Sequence, residues 1–154
     1  MAGRVADPQL ALVKTWIVDT GPLVAYLDAA DPGHEPVGSQ WDAFTGRLVT
    51  SSAVITEAMH FVADIRTGPR ALAELVAGSG MEVCDLSRPP ELQEAAALME
   101  QYADTPMDFA DATLVLLAEA LGVRDVLTLD RRGFRTYRTR AGKALRLVLD
   151  EGIA

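Results

Sequence analysis

Five acidic residues stand where a folded chain can gather them: Asp19, Glu57, Asp108, Asp111 and Asp130. Each lies at the end of an expected strand or on a helix near one. Brought together, they make a pocket of hard oxygen donors, which suits Mg2+ or Mn2+. Several carboxylates cannot stay ionised side by side without a cation, because each raises the pKa of its neighbours. A divalent ion relieves that conflict, and it can activate a water and steady charge on a phosphoryl group.

Each acid also has a plainer use. Asp19 can cap the helix that starts near Gly21. Glu57 can sit on a solvated helix face beside His60 and Asp64. Asp108 and Asp111 are spaced as a capping box in the first turn of a helix, where acids complement the dipole. Asp130 can be a turn residue before Arg131. Singly these signals are weak; their order and contexts carry the weight.

The elements that must position them follow from apolar runs and breakers. Thr15-Trp16-Ile17-Val18 reads as a buried strand ending at Asp19. Thr20-Gly21-Pro22 opens a helix, Asp31-Pro32-Gly33 is a turn, and a second helix runs to about Phe44. Leu48-Val49-Thr50 is a second strand, and Ser51 or Ser52 caps a helix that carries Glu57 to about Ile65. Thr67-Gly68-Pro69 breaks that helix before another one reaching about Ala77. Met81 to Cys84 is a third strand. Pro89 and Pro90 start a helix ending near Tyr102, and Asp108 opens the most apolar helix, which stops at Gly122. Asp125 to Leu129 is a fourth strand and Leu145 to Leu149 a fifth. Short strands alternating with helices predict a three-layer α/β/α fold on a mostly parallel sheet of about five strands. In such sheets chemistry gathers at the carboxyl ends of the strands, where Asp19 and Asp130 fall.

With 154 residues, 49% hydrophobic and 23% charged, the chain suits one globular domain. Residues 1–13 read as a loose leader without signal-peptide features, and 14–150 as the domain. No apolar run is long enough for a membrane helix. Cys84, the only cysteine, excludes an internal disulfide or a Cys-rich metal site and suits a cytoplasmic protein. The net charge of -8 disfavours simple electrostatic binding of nucleic acid. Yet Arg131, Arg132, Arg135, Arg138, Arg140, Lys143 and Arg146 supply half of the 14 basic residues.

Four stretches together resemble the PIN domains, and among them the VapC-like toxins. They are Ile17-Val18-Asp19-Thr20-Gly21-Pro22, with Asp31-Pro32-Gly33-His34 after it; Val49 to Ala58 around Glu57; Pro106-Met107-Asp108-Phe109-Ala110-Asp111; and Leu127 to Phe134 around Asp130. The resemblance spans about Thr15 to Tyr137. It implies that Asp19, Glu57, Asp111 and Asp130 are the catalytic, metal-holding acids, with Asp108 an additional one, and that Thr20 and Thr128 support the site. It implies Mg2+ or Mn2+ as cofactor, RNA as substrate, an antitoxin that inserts a segment into the acidic groove, and a homodimer. Metal-assisted hydrolysis agrees with the residues. No nucleophilic side chain stands out: Ser51 and Ser52 read as caps, and His34 and His60 as bystanders. Arg131 and Arg135, directly after Asp130, are candidates to hold RNA phosphates. Trp16, Tyr26 and Trp41 are better placed to pack the core than to stack bases. A receiver domain would want adjacent acids after the first strand, and a haloacid-dehalogenase-like phosphatase Asp-x-Asp; Val18-Asp19-Thr20-Gly21 offers neither. A catalytically silent PIN-like module that binds RNA or protein is the alternative function.

Overall fold

The computed structural model describes residues 13–151, so most of the expected leader lies outside the described residues. Five strands form one parallel sheet: β1 (Thr15–Val18), β2 (Arg47–Ser51), β3 (Glu82–Cys84), β4 (Asp125–Leu127) and β5 (Arg146–Leu147), in the order β3-β2-β1-β4-β5. Strand β1 is central and buried at every position, as its unbroken apolar run requires of a strand covered on both faces. The chain builds outward from β1 through β2 to β3, then returns to the other side of β1 for β4. That reversal is the topological switch point, and it opens a crevice at the carboxyl ends of β1 and β4.

The helices are α1 (Thr20–Leu27), α2 (His34–Ala43), α3 (Ser52–Val62), α4 (Gly68–Ser79), α5 (Pro89–Gln101), α6 (Phe109–Leu121), α7 (Arg131–Thr136) and α8 (Val148–Glu151). Helix α6 is buried from Ala112 to Ala118 without a break, because it is packed between the sheet, α3 and α5. It starts at a reciprocal Asp108–Asp111 capping box and ends at Gly122, whose φ of 65° favours glycine. Trp16 stacks on Phe44, and Tyr26 packs against Trp41, so the core role expected of these rings holds. No helix among the described residues is long and apolar enough to cross a membrane.

Three differences from the sequence reading bear on the site. Strand β4 stops at Leu127, two residues early, because Thr128 turns its hydroxyl to Asp19 instead of extending the ladder. The expected fifth strand, Leu145 to Leu149, pairs only over Arg146–Leu147 and then turns into α8. The basic stretch after Asp130 is itself a short helix, α7, which Gly133 in its middle conceals from any helical pattern.

Candidate active site

Each acid arrives by a local rule. Asp19 follows β1, and its backbone N–H still donates to Leu127 O at 3.0 Å, in the manner of the sheet. Its carboxylate then caps α1 by accepting from Thr20 N at 2.8 Å. Glu57 is the sixth residue of α3, whose start is capped by Ser51 rather than Ser52: Ser51 Oγ accepts from Val54 N at 3.2 Å. Asp108 accepts from Asp111 N at 2.8 Å while Asp111 accepts from Asp108 N at 3.2 Å. Asp130 caps α7 by accepting from Gly133 N at 3.0 Å.

Those five acids line one open cleft of about 470 Å³, with Thr20, Gly21, Val24, Asp31, Phe61 and Leu129. None of these lining residues is a cation. Thr128 lies just beneath, fully buried. Its hydroxyl donates to Asp19 Oδ2 at 2.8 Å and accepts from Asp130 N at 3.0 Å, so it couples the first acid to the last. The capping and cleft roles of Asp19, Asp108 and Asp130 are thus held at once.

Arg131 and Arg135 stand outside this lining. Arg135 donates from Nε and Nη2 to Asp150 Oδ2 at 3.1 and 2.9 Å, and Arg131 Nε lies 3.4 Å from the other oxygen of Asp150. His34 is anchored by Nδ1 on Ala25 O at 2.8 Å. His60 packs edge-on against Phe61. Neither histidine lines the cleft.

A carboxyl that is buried or crowded by other acids holds its proton more tightly. Burial, against the hydrogen bonds from Thr128 and Thr20 and with the charges of Glu57 and Asp108, raises Asp19 from 3.8 to about 6. Burial, then the charges of Asp108 and Asp19, raises Asp111 to about 8. Glu57 is also raised, first by burial and further by Asp108. Tyr137, buried below, is pushed up by burial and by the carboxylates of Asp111, Asp130, Asp108 and Asp19. The Thr20 hydroxyl faces Glu57 closely enough to favour its ionised form, but falls short of hydrogen-bonding geometry and is buried without a partner.

The donor set fits a hard divalent cation. It is all oxygen, and it includes one orphaned buried hydroxyl. The carboxylate oxygens that accept one hydrogen bond each keep a lone pair free.

Several lining residues give little sign in the sequence. Asp31 reads only as a turn, and it does form one, accepting from Gly33 N at 2.8 Å. Phe61 is one helical turn past Glu57, so its place on the same face was available from spacing; it is 58% exposed. Gly133 passes so close under Asp130 that a Cβ there would lie 2.4 Å from Asp130 Oδ2.

A parallel sheet of order β3-β2-β1-β4-β5 with an acidic crevice at its switch point defines a small three-layer α/β/α domain. Residues 16–139 match the PIN domain model, and the chain belongs to the PIN domain family. It is 39% identical over 129 residues to Ribonuclease VapC26 of Mycobacterium tuberculosis, covering 82% of this chain and 94% of that protein. Its fold is similar to that of M. tuberculosis VapC20, described as a sarcin-ricin loop cleaving toxin, with a TM-score of 0.67 and 20% identity over 75% of this chain and 89% of the other. It is also similar to FitAcB of Neisseria gonorrhoeae, with a TM-score of 0.55 and 16% identity over 84% and 96% of the two chains.

Proposed function

We propose that the chain is a divalent-metal-dependent endoribonuclease that hydrolyses RNA phosphodiester bonds as the toxin of a cytoplasmic toxin–antitoxin pair. The observation that carries this is a cleft lined by acids with no cation among its lining residues. Its likeness to Ribonuclease VapC26 over most of both chains supports the substrate class. Asp19, Glu57, Asp111 and Asp130, with Asp108, would hold Mg2+ or Mn2+, which when bound neutralises phosphoryl charge and acidifies a water.

The protein's own groups do the rest. Thr20 N and Thr128 Oγ1 fix both oxygens of Asp19. Gly133 N fixes Asp130. Glu57, which lines the cleft, can take a proton from an attacking water at a carboxylate oxygen. The Thr20 hydroxyl, free of other partners, can hold a water or a phosphate oxygen. Arg131 and Arg135 would take RNA phosphates in exchange for Asp150.

An antitoxin and a second copy of the chain complete the proposal. An apolar groove between α3, α4 and β3, bordered by Ile55, Met59, Val76 and Val83 above the buried Leu72 and Met81, is available to either. The test is cleavage of labelled single-stranded and transfer RNAs with Mg2+, Mn2+ or EDTA, beside D19N. Cleavage that requires metal and vanishes in D19N is expected. Cleavage that persists in EDTA or in D19N refutes the mechanism, and folded protein that binds RNA or an antitoxin but cuts nothing favours a silent binding module.

A further inference from the structure

Beneath the cleft runs a seam of buried hydroxyls. Thr50, Ser51, Thr113 and Thr128 are each at most 1% exposed. Each hydroxyl has one proton, so the bond directions can be worked out. Thr113 Oγ1 donates to Ala110 O at 2.6 Å. It can therefore only accept from Ser51, at 2.7 Å. Ser51 Oγ in turn accepts from Val54 N, which caps α3. Thr50 Oγ1 donates to Val18 O at 2.6 Å.

The seam joins the segments that carry the acids. The Ser51–Thr113 bond ties the start of α3, with Glu57 on its second turn, to α6 two residues past Asp111. The Thr50 bond ties β2 to the residue just before Asp19. The Thr128 bond already described closes the row to Asp130. A Thr that bonds back to its own helix is ordinary. A bond between hydroxyls 62 residues apart in sequence, placed under groups that repel, is a directional tie in a low-dielectric layer, where a misplaced hydroxyl is costly.

We infer that Ser51 and Thr113 are positioning residues: their hydrogen bond sets the separation of Glu57 from Asp108 and Asp111, and with it the affinity of the cleft for a divalent cation. This rests on the metal-dependent function proposed above. Neither residue touches the ion or the RNA.

The test compares wild type, T113V, T113S and, as a packing control, L117V, whose Leu117 is buried elsewhere on α6. Mn2+ binding to RNA-free protein is read by titration calorimetry, and melting is read in EDTA. T113V keeps the size of the side chain and leaves the Ser51 cap in place. It is expected to weaken Mn2+ binding severalfold, less than the roughly 10–100-fold cost of losing a direct hydrogen-bond partner of a ligand, while T113S restores binding and L117V leaves it unchanged. Unaltered Mn2+ binding in T113V overturns the inference. So does equal loss in T113V and T113S, or a loss in L117V that follows its melting temperature. Wild type that binds no Mn2+ overturns the metal-dependent function itself, and the inference with it.

Discussion

Replacing Asp19 by Asn should stabilise the metal-free protein at neutral and alkaline pH. Asp19 is raised from 3.8 to about 6 in the folded state. A group raised on folding contributes stability that is fully present below its unfolded pKa and is lost as pH rises through the folded one. At about 1.4 kcal/mol per pH unit, this interval makes the wild type about 3 kcal/mol less stable above pH 6 than below pH 4. The D19N side chain is neutral throughout and escapes that loss. Its amide offers only one acceptor oxygen, so it loses one of the bonds accepted from Thr20 N and Thr128, a cost of about 1–2 kcal/mol at any pH. The net gain at pH 8 is then about 1–2 kcal/mol, or about 2–8 °C in melting temperature for a chain of this size. Removing the charge also relieves Asp111, which Asp19 helps to raise. The assay is thermal melting in EDTA from pH 4 to pH 8. D19N should melt above wild type at pH 8, and its advantage should shrink and reverse as pH falls below about 4. Saturating Mg2+ should raise wild type more than the variant. A wild type that melts higher at pH 8 in EDTA, or a difference that does not change with pH, would refute this account of the cleft.

Gly133→Ala should displace the Asp130 carboxylate, since the new Cβ would lie 2.4 Å from Oδ2; loss of the α7 cap should cost about 1 kcal/mol. Cleavage should fall by at least about tenfold, the order seen when a ligand's surroundings are disturbed, and full activity would sink the role given to Asp130. Tyr137→Phe removes the bond from Tyr137 Oη to Pro106 O, 2.9 Å long, and should cost about 1 kcal/mol in urea denaturation. Arg135→Ala should weaken RNA binding more than Mn2+ binding; equal loss of both points to a damaged fold. Asp150→Ala frees Arg131 and Arg135 from exposed pairs worth about 1 kcal/mol or less. It should therefore leave melting nearly unchanged and tighten RNA binding in a filter assay, and weaker binding would mean that Asp150 aligns the arginines instead of competing for them.

What could be read from the chain was whatever rests on local periodicity and end signals. The apolar run at Thr15–Val18 announces a central strand, and an acid directly after it falls at a strand end. Asp108 and Asp111 are legible as a helix start because capping needs only neighbours in sequence. The structure removes the choice between cap and cleft for Asp108, since its carboxylate accepts from Asp111 N and also lines the cleft. Helix α7 escaped because six residues with a central glycine hold no helical period. The short β4 escaped because Thr128 bonds to Asp19, 109 residues away, and no window along the sequence contains both. The Ser51–Thr113 tie and the pairing of Asp150 with the two arginines are long-range in the same way. Asp31 was hidden because a turn acid looks alike whether it faces solvent or a cleft.

That span of 109 residues between Asp19 and Thr128 also sets a timetable during synthesis. Strand β1 leaves the ribosome well before its second neighbour, β4, which comes more than 100 residues later. At translation rates of about 5–20 residues per second, the interval is on the order of ten seconds. Until β4 is available, Asp19 has no Thr128 to orient it, and neither Asp130 nor α7 exists to close that side of the cleft. On the function proposed above, a nascent chain that has not yet reached β4 would be inert toward its own message and ribosome.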